Sequence, residues 1–259
     1  MTDITITRIN RFPIKGLSAE RLESVQLTAG DGIPGDRLYG FARHNSGFDP
    51  QNPKPLPKDR FVVLLKEAAL AGLDTQFNSN TQQLEINSGQ KISSFDIQTQ
   101  DGRIAAATFL FDELQLSDPE PPVFVSSAPH RFTDVSVVSP VMMNAISVVN
   151  IASVKELGKR LGTELNPARF RANIEIDGLD PFEELEAVGA SFKFGDVTLR
   201  LISRTKRCAA TEVNPETAER DLKLPYLLRK ELGHMDMGVY VEVVSGGTIH
   251  QGDTGQLVL

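Results

Sequence analysis

The amino-acid sequence predicts an α+β fold, mostly β and built on a β-barrel. Three observations carry this. Apolar runs of strand length recur between turn clusters rich in Gly, Pro and Asp, helical periodicity is confined to three short stretches, and strands and helices mix without a repeating βαβ unit. No internal repeat of solenoid period is present. With 259 residues, 40% of them hydrophobic and 24% charged, the chain can bury a large core in one domain or two closely packed ones.

The elements follow in order. Residues 4–14 alternate in part and read as a strand, 22–27 as a second, and Asp31-Gly32-Ile33-Pro34-Gly35-Asp36 as a turn before a third at 37–41. Four prolines lie within Asp49–Pro57. Each lacks an amide donor and restricts the residue before it, so this segment is expected as an extended loop able to line a cleft. A buried strand is expected at 61–65, a short helix at 66–73, and strands at 84–86 and 92–99 that end at Asp101-Gly102. The proline- and acid-rich break Ser117-Asp118-Pro119-Glu120-Pro121-Pro122 sets the expected boundary between a barrel-like α+β domain, 1–122, and a β-barrel domain with flanking helices, 123–259. Beyond it, Asn150 is placed to cap a helix in which Val154, Leu157 and Leu161 share a face and which Gly162 ends. Strands are expected at 173–176 and 197–202, a helix at 224–232 with Pro225 in its first turn, and closing strands at 239–244 and 256–259.

The composition narrows the function. A formal net charge of −7 argues against a broad surface for nucleic acid or anionic lipid. No run approaches the roughly 20 apolar residues of a membrane-spanning helix. Met1-Thr2-Asp3-Ile4-Thr5 has neither the basic start nor the apolar core of a signal peptide, so a cytoplasmic, monomeric protein is expected. The single cysteine allows no internal disulfide, no four-cysteine iron–sulfur cluster and no cysteine-rich zinc site. His44, His130, His234 and His250 stand singly, without the three- or four-residue spacing that pairs imidazoles on a helix, which argues against a histidine metal site.

The segment around the cysteine stands out. From Arg200 to Arg207 four of eight residues are cationic and none acidic, and Cys208 comes next. That charge favours a thiolate, the form that attacks electrophiles and binds soft metals, and the end of a strand would carry it into a cleft. On residue chemistry alone this reading stands level with a buried, inert cysteine beside a basic strand. A second basic cluster is Asn166-Pro167-Ala168-Arg169-Phe170-Arg171-Ala172-Asn173. On an extended segment Arg169 and Arg171 would face one side and grip a phosphate with forked donors, or form an ordinary solvated pair. Lys15 after Pro13-Ile14, and Arg37 after Asp36, are weaker candidates of the same kind.

Taken together, these segments resemble the family of molybdenum cofactor sulfurase C-terminal (MOSC) domains with their N-terminal β-barrel domain. The resemblance rests on Phe12-Pro13-Ile14-Lys15, Gly35-Asp36-Arg37-Leu38-Tyr39, Arg169-Phe170-Arg171-Ala172-Asn173-Ile174, Arg207-Cys208 with Thr211 and Val213-Asn214-Pro215-Glu216-Thr217, and Gly247-Thr248-Ile249 with Gly252-Asp253. These motifs keep the family's order and span almost the whole chain. The layout is similar to that of the amidoxime-reducing components, and the resemblance implies a molybdopterin cofactor whose metal is ligated by Cys208. It further implies that Lys15, Arg37, Arg171 and Asn173 hold phosphate and pterin, that Arg169 belongs to the same cluster, that Arg207 flanks the ligand cysteine, and that Ser147 and Tyr240 complete the site. The activity so implied is reduction of small N-hydroxylated or N-oxygenated molecules, with electrons from a separate reductase. The same residues would also serve a molybdopterin-binding or sulfur-carrier protein without turnover. The family is associated with pyridoxal phosphate as well, but the domain that binds it in true sulfurases is not expected in this chain.

Overall fold

The computed structural model describes residues 3–126, 128 and 130–259. The first part of the chain supplies β1 (Asp3–Arg11), β2 (Glu20–Leu22), β3 (Ser24–Leu27), β4 (Tyr39–Ala42), β5 (Asp74–Asn78), β6 (Gln83–Asn87), β7 (Ile92–Asp96), helix α1 (Gln100–Glu113) and β8 (Val123–Ser126). Then come α2 (Pro140–Asn144), β9 (Ile146–Asn150), α3 (Ile151–Leu161), β10 (Ile174–Asp177), α4 (Glu183–Glu186), β11 (Ser191–Phe194) and β12 (Val197–Lys206). The chain finishes with α5 (Leu224–Leu232), β13 (Asp236–Ser245), β14 (Gly247–His250) and β15 (Thr254–Val258). No helix among the described residues is long and apolar enough to cross a membrane.

Seven strands close into a barrel in the order β10-β9-β13-β12-β11-β15-β1, with β1 pairing back onto β10. Closure leaves no open edge within the ring. Neighbours run antiparallel except β9 and β10, whose parallel pairing demands a crossover that α3 supplies. Asn150 caps α3 by accepting from the Ala152 amide, and Gly162 ends it at φ 69°, as its sequence pattern predicts. Alternating side chains such as Ile4, Ile6, Val148, Ile176, Phe192, Leu199, Val239 and Val241 fill the barrel. Each fully buried side chain of this size contributes roughly 1.5–3 kcal/mol. β3 pairs with β14 and adds Val25, Leu27 and Ile249 to the same core. The barrel thus takes β1, and its core takes β3, from the N-terminal side of residue 122.

A second core lies under the β5-β6-β7 meander, where α1 packs Ala106, Ala107 and Leu110 against Leu84, Ile86, Ile97 and Phe124. Here the structure departs from the sequence reading. Residues 61–65 form no strand, only a bridge from Phe61 to Ala42, and the helix expected at 66–73 is a single 3₁₀ turn, Ala68–Gly72. The strand expected to run from 92 to 99 stops at Asp96, and the chain enters α1, which periodicity did not reveal. Gly102 reads as a breaker, yet it sits in the first turn of α1 because a Cβ there would lie 1.9 Å from the Asp96 carbonyl oxygen. Thr99 caps this helix by accepting from the Gly102 amide. The strand expected at 37–41 begins at Tyr39, since Arg37 adopts a left-handed conformation at φ 52°.

Candidate functional site

β12 ends at Lys206, and Cys208 opens the 3₁₀ turn Ala209–Glu212. The Thr211 amide and hydroxyl both donate to the Cys208 carbonyl, at 3.0 and 2.9 Å, fixing the turn that presents the thiol. Cys208 lines a cavity of about 250 Å³ that also receives Lys15, Arg37, Ser147, Arg169, Arg171, Asn173, Arg207 and Tyr240, every candidate drawn from the sequence.

Asn173, at 2% exposure, is the hub of one wall. Its Oδ1 accepts from Ser147 Oγ at 2.8 Å and from Arg37 Nη1 at 3.2 Å, while Nδ2 donates to Asp36 Oδ1 at 3.1 Å and to the Asn10 carbonyl at 3.3 Å. Arg37 also donates to the Arg171 carbonyl, and Arg171 donates to the Leu17 carbonyl at 2.7 Å. Both guanidinium groups lie over the Phe12 ring, 4.5 and 4.4 Å from its centroid, which explains the aromatic residue three positions before Lys15. On the opposite chain segment Arg207 is buried, donating to the carbonyls of Met237 and Phe170. Burial draws the guanidinium groups of Arg171 and Arg207 down to about 10. Tyr240 lies beside Ser147 across the β13–β9 pairing, and burial pushes its hydroxyl up, with Arg207 opposing.

Lys15 is buried and donates to the Phe132 carbonyl at 2.8 Å and to Asp134 Oδ1 at 2.6 Å. Its burial lowers the ammonium's proton affinity, and Asp134 works against that. Desolvation would raise the Asp134 carboxyl, but Lys15 and Lys58 hold it well below the usual carboxylate range. Lys58 follows the proline-rich segment and stands 3.1 Å from Cys208 Sγ and 3.3 Å from Asp134 Oδ2. Its burial acts downward, but Asp134 and Cys208 push it up to about 12. The sequence reading missed both Lys58 and Asp134. The one available signal was that the loop ending at Pro57 was expected to line a cleft.

Two expectations are corrected. Arg169 and Arg171 do not share an extended segment: Arg169 lies in the 3₁₀ turn Pro167–Phe170 and Arg171 is left-handed at φ 48°. Arg169 is tied to Asp221 at 2.6 Å and to the Glu212 carbonyl, so its fork braces the loops around Cys208. Of the four cations before the cysteine, Arg200 pairs with Glu242 and Arg204 with Glu186. The cation that touches the sulfur comes from 150 residues earlier.

Eight cations, Lys15, Arg37, Lys58, Arg169, Arg171, Arg204, Lys206 and Arg207, line the cavity against one carboxylate, Asp134. Among the described residues, the buried Thr205 hydroxyl and Arg169 Nε have no hydrogen-bond partner. Among the described residues no group of three or more His, Cys, Asp and Glu is placed to hold a metal ion; the soft sulfur groups that line the cavity are the thiol of Cys208 and the thioether of Met142. The arrangement suits a multiply anionic ligand that also reaches a cysteine sulfur, and a phosphate-bearing, dithiolene-metal cofactor has that chemistry.

A closed, mostly β barrel thus carries a cation-lined cavity around one thiol. Residues 129–255 match the family model of the MOSC domain, so this stretch of the chain carries a MOSC domain. It is 35% identical over 95 residues to the molybdenum cofactor sulfurase of Drosophila mojavensis, covering 36% of this chain and 12% of that protein. It is 29% identical over 118 residues to the human mitochondrial amidoxime-reducing component 1, covering 41% of this chain and 34% of that protein. The matched stretch therefore spans about a third of the amidoxime-reducing relatives and about an eighth of the sulfurases. Among solved structures it is similar to the YUAD protein of Bacillus subtilis, at 14% identity and a TM-score of 0.45 over 99% of this chain and 98% of that one. YiiM of Geobacillus stearothermophilus is similar at 20% identity and a TM-score of 0.34, over 44% of this chain and 53% of that one.

Proposed function

We propose that this protein holds a molybdenum cofactor in the Cys208 cavity and reduces small N-hydroxylated or N-oxygenated molecules, taking electrons from a separate reductase. The observation that carries the reading is the set of eight cations lining the cavity around the only thiol of the chain, of which Arg171, Lys206 and Arg207 have no carboxylate partner among the described residues. Arg171 and Arg207 donate to carbonyls and to no carboxylate, so their charges lack a counter-ion that a phosphate would supply. In this reading Lys15, Arg37, Arg171 and Asn173 hold the phosphate and pterin, Ser147 orients Asn173, and Arg207 and Tyr240 flank Cys208, the metal ligand. Arg169 acts indirectly, through Asp221 and the Cys208 turn. Bound molybdenum would supply the oxygen-atom and electron-transfer chemistry that no side chain here provides. The remaining work of the protein is to bind and orient that group and to shape the space over it.

The names of the amidoxime-reducing relatives support this activity, and those of the sulfurases favour a second reading, a cofactor-handling protein without turnover. One experiment separates them. The full chain, made in a molybdenum-competent host, is assayed for metal and pterin fluorescence, then for reduction of an amidoxime with an artificial electron donor. Metal, pterin and turnover, all lost in Cys208→Ala without unfolding, are the expected results. Consistent absence of both metal and pterin, or full activity in Cys208→Ala, overturns the proposal; bound cofactor with no turnover favours the carrier.

A further inference from the structure

Lys58 differs from the other cations of the cavity. Lys15, Arg171 and Arg207 are enclosed, with their donors on backbone carbonyls or on Asp134. The Lys58 side chain is 29% exposed, on a 3₁₀ turn made stiff at its start by the preceding prolines. Its ammonium carries three N–H donors, of which one meets Cys208 Sγ and one Asp134, leaving the third for a ligand. Asp134 shares its single negative charge between Lys15 and Lys58, so this cluster stays net positive. Val63, Leu64, Leu65 and Met142 belong to the same lining and thin the water around it, which strengthens the attraction Lys58 exerts.

We propose that Lys58 is a specificity-determining residue that ranks ligands reaching Cys208 by charge, favouring those that present a negatively charged oxygen over neutral molecules of the same size. This rests on the reading of Cys208 as the atom that ligands approach, and it is independent of which cofactor the cavity holds.

Alkylation of the only cysteine tests it in the full chain prepared free of cofactor. Iodoacetate and iodoacetamide are nearly equal in size and differ in charge. Both consume the thiolate, so the ratio of their rates cancels any change in thiolate fraction and reports the field that the reagent meets. Lys58→Met is expected to lower the iodoacetate-to-iodoacetamide ratio about tenfold, the equivalent of ~1.4 kcal/mol. Lys58→Arg, which keeps the charge, is expected to hold the ratio within about twofold of the native value, and both variants should melt with the native protein. An unchanged ratio in Lys58→Met overturns the proposal, as does an equal slowing of both reagents or a loss in Lys58→Arg as large as in Lys58→Met. A preparation that never binds molybdenum would sink the proposed function and leave this result standing.

Discussion

Replacing Asn173 with alanine probes the wall that carries Arg37 and Ser147. The substitution removes the acceptor of the Ser147 hydroxyl, one partner of Arg37, and the donor to Asp36 and to the Asn10 carbonyl, all at a site 2% exposed. Some partners keep other bonds: Asp36 Oδ1 still accepts from the Phe12 amide, and the Asn173 amide still donates to Ser147 Oγ. That leaves the Ser147 hydroxyl proton, the Ser147 amide and the Asn10 carbonyl contact as the main losses. At ~1–3 kcal/mol for each buried group left unsatisfied, the total is roughly 3 kcal/mol. For a chain of this size that corresponds to a fall in melting temperature of about 6–12 °C. The assay is thermal and denaturant unfolding of the cofactor-free protein, with an unchanged denaturant slope. Asn173→Asp should cost more, because it loses the same donors and sets a carboxylate against Asp36 Oδ1. A shift of less than about 2 °C in both variants would refute the description of Asn173 as the hub.

Further outcomes follow from other parts of the structure. Glu184 is buried, and its desolvation raises the carboxyl although Ser153 and Asn150 donate to it. A raised acid contributes stability below its unfolded value that is lost as pH rises through the folded value, so Glu184→Gln should flatten the decline of stability above about pH 4.5; an identical pH profile would contradict this. The Asp221 carboxyl is held low by the hydrogen bond from Arg169, so the stability of this pair is present above about pH 4 and lost on acidification. Asp221→Asn should therefore weaken the native protein at neutral pH, and the difference should shrink as the pH falls below about 4. Gly102→Ala, ordinarily stabilising within a helix, should instead destabilise the fold and loosen α1, because its Cβ meets the Asp96 carbonyl; a raised melting temperature would show that the close approach is absent.

The legible parts of the molecule were those where local chemistry and tertiary structure agree. Asn150, Val154, Leu157 and Gly162 announce α3 through a cap, a stripe and a left-handed end, and the apolar run at 197–202 announces the strand that delivers Cys208 to a cavity. Helix α1 was hidden because Gly102 mimics a turn and its apolar residues do not gather on one face. β9, with all five residues buried, leads straight into α3 and leaves no change of period to mark a boundary. The site was legible where its residues lie within motifs and opaque where they meet across the chain. Lys58 and Asp134 are unremarkable in sequence and acquire their role only when the proline-rich segment and the loop before α2 converge on Cys208. Arg169 and Arg171 were found as a pair, but their separate tasks depend on a tight turn that the Asn-Pro start only hints at.

The way β1 closes the barrel has a consequence for how the protein is made. Asp3 pairs with Gln256 and Ile9 with Ile174, so β1 is satisfied on both sides only once β10 and β15, far along the chain, are in place. Contacts so distant in sequence make folding slow and prolong the exposure of an apolar strand during synthesis. The cavity walls come from both ends of that interval, Lys15 and Arg37 early and Cys208 and Tyr240 late. The cavity is therefore complete only after β15 has closed the ring, and a protein shortened before β15 would keep the lining residues yet have no ring to hold them.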